Sequence, residues 1–136
     1  MNSPEIKTMT LSRLTMAHDT LDDMHRLVAS GANGRSIVNR AYYAMFYAIL
    51  ALANHRQMPV RKHQATIAFF DREFVRTGIF SKEMSVALHE SFDLRMEADY
   101  ADFCQPAPEE ISASVNQAKV FVDRINTYLQ QQMALS

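Results

Sequence analysis

The chain has 136 residues, 48% of them apolar, enough for one domain with a real core and too short for two ordinary ones. Its 14 basic and 15 acidic side chains nearly cancel, to a net charge of -1, so any basic surface for nucleic acid must be local. The single cysteine, Cys104, excludes an internal disulfide and any multi-cysteine metal site, and a reducing cytoplasm is the simplest setting.

Three glycines and four prolines leave long stretches free for helix, and nothing favours strands. The first predicted helix runs from about Thr10 to Ser30. Leu14, Ala17, Leu21, Met24 and Val28 alternate at spacings of three and four and form one apolar stripe. Gly31 gives a left-handed stop, and Asn33-Gly34 continue the turn. The second helix starts near Ser36, as its cap, and continues to about His55. It is apolar around most of its circumference, so it lies centrally in a bundle or is shared with a subunit interface. Its most apolar run, Ala41 to Ala53, is too short for a membrane span of about 20 residues.

The third helix covers roughly Gln64 to Val75, with Ile67, Phe70 and Phe74 inward, and ends before Gly78. Ser81 caps a fourth, which reaches about Tyr100 through Met84, Leu88, Phe92 and Ala98. Pro108, Glu109 and Glu110 open the last helix, a favourable set at its positive end. Ile111, Val115, Ala118, Val122, Ile125 and Leu129 line it, and the tail is expected to fray after Gln130. There is no repeat, no linker and no apolar leader at the N-terminus. The expectation is one all-α domain over 1–136, an antiparallel, up-and-down bundle of four to five helices with its core at about 10–130.

The usual enzyme signatures are absent. There is no phosphate-cradling Gly-rich loop and no Ser on a tight Gly turn. No histidine has a Glu three residues before it, as a four-helix carboxylate metal site requires, so no metal or cofactor is expected. His18 and His25 lie seven apart, not four, and read as rim residues.

Three polar segments stand out. Arg40 opens RAYYAMFYA, and Tyr43 and Tyr47 share a face with Asn39 and Arg40. An arginine beside phenols in an apolar helix builds a polar pocket, or the tyrosines simply reach to a rim. Arg61, Lys62 and His63 form a basic run at a helix start, where they oppose the dipole; they contact phosphate or lie in a solvated loop. Arg95 and Asp99 lie four apart, so that a forked guanidinium is held by a carboxylate in a form suited to phosphate or ribose, with Tyr100 one residue beyond. The same pair is common on plain helix surfaces. Cys104 has no basic neighbour in sequence and reads as inert.

In their order, RAYYAMFYAILAL, KHQATIAFF, EFVRTGIF and LRMEADYADF resemble the small stand-alone prokaryotic HEPN-domain proteins, over about Arg35 to Val122. The resemblance implies a helical bundle that forms a homodimer, often paired with a small nucleotidyltransferase in a toxin–antitoxin module. It also implies binding of nucleotide or RNA, and as an alternative a metal-independent ribonuclease. In such enzymes an arginine followed by a histidine four to six residues later faces a cleft shared by two subunits. Here Tyr100 occupies the histidine position counted from Arg95, and Tyr47 that counted from Arg40. A phenol of pKa near 10 is a poor proton shuttle at neutral pH. Arg95 and Tyr100 therefore transfer as a site pair, and His63 is the imidazole that could replace the missing one. Arg40, Tyr43, Tyr47, Lys62, His63, Arg95 and Asp99 are the ligand-binding candidates.

Overall fold

Every turn of the second helix carries small or apolar side chains, and that determines the architecture. The computed structural model describes residues 3–100 and 105–135. Five α-helices account for most of them: α1 Ser3–Ala29, α2 Gly34–Arg56, α3 His63–Phe70, α4 Lys82–Tyr100 and α5 Pro108–Ala134. A wider π-helical turn, Asp71–Val75, extends α3.

Helix α2 packs against α1, α3, α4 and α5, and twelve of its residues are buried. By length and hydropathy it could cross a membrane, but most of that stretch is buried inside the bundle. Its alanines at 41, 44, 48, 51 and 53 let neighbouring helices approach, while Tyr42, Met45, Ile49 and Leu52 fill the space between them. From α5 the partners are Ala118, Phe121, Val122, Ile125 and Leu129, all but fully buried. Pattern and packing agree there.

The cap of α2 is Asn33, not Ser36: its Oδ1 accepts the Ser36 backbone N–H at 3.0 Å, which starts the helix two residues earlier than its apolar pattern suggests. Gly31 takes φ +71°, the left-handed stop expected of it. Val28 is 45% exposed, so the buried stripe of α1 ends at Met24. Thr10 and Thr20 complete that stripe. Their hydroxyls donate to the Ile6 and Met16 carbonyls, which satisfies them inside the core. Helix α5 stays intact past Gln130, because Met133 is buried against the bundle.

In the π turn the Arg76 N–H donates to the Asp71 carbonyl at 2.8 Å, one residue wider than an α-helical bond. The widening turns both Phe70 and Phe74 inward, where they stack with Phe80. It also directs Asp71 toward α4. One carboxylate oxygen accepts the Ser85 hydroxyl and the other accepts His89 Nε2, each at 2.7 Å. Arg56 lies 4.4 Å over the Phe74 ring and pairs with Glu73 at 3.4 Å, tying the end of α2 to the same turn. Cys104 lies outside the described residues.

Candidate functional site

Three elements meet at one polar patch: the first half of α2, the start of α3 and the second half of α4. Tyr42 on α2 is wholly buried, with its ring against Tyr43, Phe46 and Phe92. Its phenol and His63 Nδ1 lie 2.8 Å apart. His63 is the first residue of α3, and its ring packs on Phe46 at 4.6 Å and meets Tyr43 edge-on at 5.6 Å. That hydrogen bond occupies Nδ1, so Nε2 is the nitrogen available to anything arriving from outside.

Arg95 approaches the same rings from α4. Its guanidinium carbon is 5.5 Å from the Tyr42 centroid and 5.2 Å from that of Tyr43. Arg95 Nε lies 3.1 Å from Asp99 Oδ2, the i,i+4 pair expected from sequence. The contact is an ion pair by distance, but the N–H is not aligned on the oxygen, so Nε remains without a hydrogen bond. Apart from a weak 4.0 Å contact of Nη1 with Met96 Sδ, the terminal nitrogens bond to none of the described residues. The guanidinium is thus stacked and steered, its side chain 15% exposed and its outer fork bonded to no other described residue.

Charge and burial act together. Burial raises the Tyr42 phenol far above its usual value, the opposing charge of Arg95 recovering only part of the shift, so this group stays protonated. The His63 imidazole is lowered from 6.5, first by burial and then by the charge of Arg95. At neutral pH the pair is therefore a protonated phenol and a neutral imidazole, the bond running from the phenol to Nδ1 or from Nδ1–H to the phenol oxygen according to the tautomer. If the ring gains a proton, Nδ1–H donates back to the phenol oxygen, and the contact survives in either sense.

The other candidates take different places. Arg40 also lies over the Tyr43 ring, at 5.2 Å, and both Nε and Nη2 donate to Asn39 Oδ1. Arg40 and Asp99 line one shallow hollow of about 360 Å³ with Arg35, Ser36 and Asn39. Tyr47 extends the row of rings, 6.0 Å from Tyr43. Lys62 caps α3 through its backbone only; its carbonyl accepts from Thr66 while its side chain is exposed. Tyr100 is 78% exposed at the end of α4, five residues and about 140° around the helix from Arg95. Within one protomer the fold brings Arg40, Tyr43, His63, Arg95 and Asp99 together and leaves Tyr100 outside.

Sequence spacing does not single out Tyr42, the residue that orients the imidazole. Its neighbour Tyr43 carries the i,i+4 pattern, and the bond from Tyr42 to His63 spans 21 residues. Among the described residues, no group of three His, Cys, Asp or Glu side chains is placed to hold a metal ion.

Comparison with known proteins identifies the family. A UPF0332 protein of Thermotoga maritima is 32% identical over 114 residues, 84% of this chain and 86% of its own. Two proteins of Methanocaldococcus jannaschii, both named as candidate toxins, are 34% and 28% identical. The first match covers 71% of this chain and 72% of that protein, the second 68% and 63%. Residues 11–128, spanning every element of the site, match the HEPN domain, and the chain belongs to that family.

Proposed function

We propose that the chain is the HEPN component of a cytoplasmic toxin–antitoxin module and that it binds the phosphate of a nucleotide or of RNA at Arg95 and His63. One observation carries the reading. A guanidinium and a neutral imidazole lie on the same pair of tyrosine rings, and among the described residues the fork of the arginine meets only Met96 Sδ, weakly. Such a fork matches a phosphate oxygen pair. Tyr43 and Tyr47, both part-exposed with ring centroids 6.0 Å apart, offer rings on which a base can stack. The toxin names of two relatives support the module, and a nucleotidyltransferase antitoxin is its partner in this proposal.

The test is titration of the purified protein with nucleotides and short RNA, wild type against Arg95→Ala. Weaker binding by the variant supports the assignment; equal binding removes it.

The Tyr42–His63 bond favours a second reading, a metal-independent ribonuclease. With Nδ1–H donating to the phenol oxygen, Nε2 accepts the proton of the ribose 2′-hydroxyl as that oxygen attacks the adjacent phosphorus. The guanidinium of Arg95 stabilises the charge that builds on the phosphoryl oxygens, and the bond to the 5′-oxygen breaks as the proton held at Nε2 passes to that oxygen, leaving a 2′,3′-cyclic phosphate and a 5′-hydroxyl. Growth arrest on expression in bacteria, relieved by Arg95→Ala and by His63→Ala, is the expected result. Healthy growth with intact cellular RNA refutes it. Tyr100 and Arg95 do not meet in one protomer, so a hollow shared by both belongs to a homodimer. Sedimentation that finds only monomer at about tens of micromolar, where modest dimers are populated, counts against that assembly.

A further inference from the structure

The helix that carries Arg95 has a second polar face. Asp93 and Glu97 lie two residues to either side of Arg95, which puts them across the helix from the tyrosine platform. With Glu90 they form a stripe of three carboxylates at spacings of three and four, an arrangement that repels itself along a helix. Glu110 of α5 faces the stripe across an open groove of about 260 Å³. Among the described residues no Lys or Arg lines that groove.

The floor of the groove holds a second, independent feature. Ser91 and Ser114, one from each helix, are 1% and 2% exposed, and neither hydroxyl has a hydrogen-bond partner. The other buried hydroxyls are satisfied: Thr10, Thr20 and Thr66 each donate to the carbonyl four residues earlier. A buried hydroxyl left without a partner costs on the order of 1–3 kcal/mol, so two on one floor mark a place kept polar at a cost. Their oxygens are closed to solvent, so a donor reaches them only where a ligand parts the side chains of α4 and α5 above them. Leu94 and Ala113 complete the lining with apolar surface.

Carboxylates at the rim, hydroxyl acceptors below and a short apolar wall together describe a ligand with several ammonium groups joined by methylenes. We infer that the α4–α5 groove is a binding site for an aliphatic diamine or polyamine. The ammonium groups would sit at Asp93 and Glu97, whose separation of one helical turn, about 6 Å along the axis, suits a four-carbon diamine. The methylenes would lie on Leu94 and Ala113. The remaining oxygens of Glu90, which already accepts Gln117 Nε2 at 3.2 Å, and of Glu110, which accepts the Ala107 N–H, would close the two ends. A small hydrated dication would use the carboxylates but gain nothing from the apolar wall or the buried hydroxyls.

Calorimetric titration of the full chain with putrescine and spermidine, at about 0.15 M salt to screen diffuse attraction, tests the inference. Saturable binding is expected, weakened roughly tenfold or more in an Asp93→Asn, Glu97→Gln double variant through loss of two charge-assisted contacts. Ser91→Ala with Ser114→Ala is expected to weaken binding several-fold while leaving the thermal midpoint unchanged or higher, which separates the site from a folding defect. Arg95→Ala, on the opposite face, should leave diamine affinity unchanged, so failure here is distinct from failure of the phosphate site. Four results would overturn the inference: no saturable binding by wild type, full binding by the double variant, Mg²⁺ binding as tightly as putrescine, or capture of a lysine-rich peptide but not of putrescine.

Discussion

The bond between the Tyr42 phenol and His63 Nδ1 is the joint that holds the candidate site in shape, and a double-mutant cycle measures it. Tyr42→Phe removes one oxygen from a ring that is otherwise locked by Tyr43, Phe46 and Phe92, so no cavity of consequence forms. His63→Gln removes the acceptor ring from the other side. A hydrogen bond of 2.8 Å between neutral groups contributes about 0.5–1.5 kcal/mol net. Because Tyr42 is wholly buried and His63 is not, the penalty for stranding a partner falls on the phenol. His63→Gln should therefore destabilise more than Tyr42→Phe, by about 1–2 kcal/mol against about 1, and the double variant should cost less than the sum by about 1 kcal/mol. Urea unfolding followed by circular dichroism resolves such differences, and a chain of this size should lose about 3–5 °C of melting temperature per kcal/mol. A coupling energy indistinguishable from zero, or Tyr42→Phe as the costlier single change, would refute the account of how the imidazole is oriented.

Three further outcomes follow from the same geometry. If Arg95 binds phosphate, Arg95→Ala should weaken RNA binding about tenfold and flatten the plot of log affinity against log salt by about one unit, measured by fluorescence anisotropy; an unchanged slope excludes the contact. His55 and His63 are both depressed below 6.5 in the folded chain. The unfolded chain therefore holds more protons between those lowered values and 6.5. Stability is full above about pH 6.5 and falls as the pH drops through that window. Denaturant midpoints at neutral and mildly acidic pH check the sign, and a His55→Gln, His63→Gln variant should show a flatter dependence. Asp71→Asn keeps one acceptor but places an amide against a second donor, so it should destabilise by about 1–2 kcal/mol through the Ser85 and His89 contacts. Ser85→Ala in that background should then add little, and calorimetric melting of the three variants decides it.

Much of the fold is legible because α-helical periodicity leaves a clear trace in α1 and α5, and the nearly all-round apolar run of α2 marks it as the central helix. The failures have local causes. Val28 continues the sequence stripe of α1 but lies beyond the contact with α2, whereas Thr10 and Thr20 are buried because a back-bonded hydroxyl tolerates a core position that hydropathy scores as polar. Asn33 caps α2 through a side chain placed four residues before the first strongly apolar position, Ile37. Met133 is held by packing that a terminal segment's composition does not announce. The π turn leaves no pattern of its own, and with it the Asp71 contacts with Ser85 and His89 go unseen.

At the site, the Arg95–Asp99 pair and the Tyr43–Tyr47 row are local and therefore readable at i,i+4 spacing. The meeting of Tyr42, His63 and Arg95 depends on how three helices dock, and linear spacing does not encode it. This matters for chemistry. A histidine missing from the position after Arg95 does not leave the arginine without an imidazole, because α3 begins with one and α2 holds it by a buried phenol. Tertiary packing can thus supply a group that the linear motif lacks. A near-zero net charge is compatible with that role because α4 keeps its charges apart: the guanidinium faces the tyrosines, and Asp93 and Glu97 face α5. Across one helix diameter of about 10 Å, close to the screening length at physiological salt, the two fields act nearly independently. Each face can therefore attract a ligand of opposite sign, and the overall charge of the chain predicts neither.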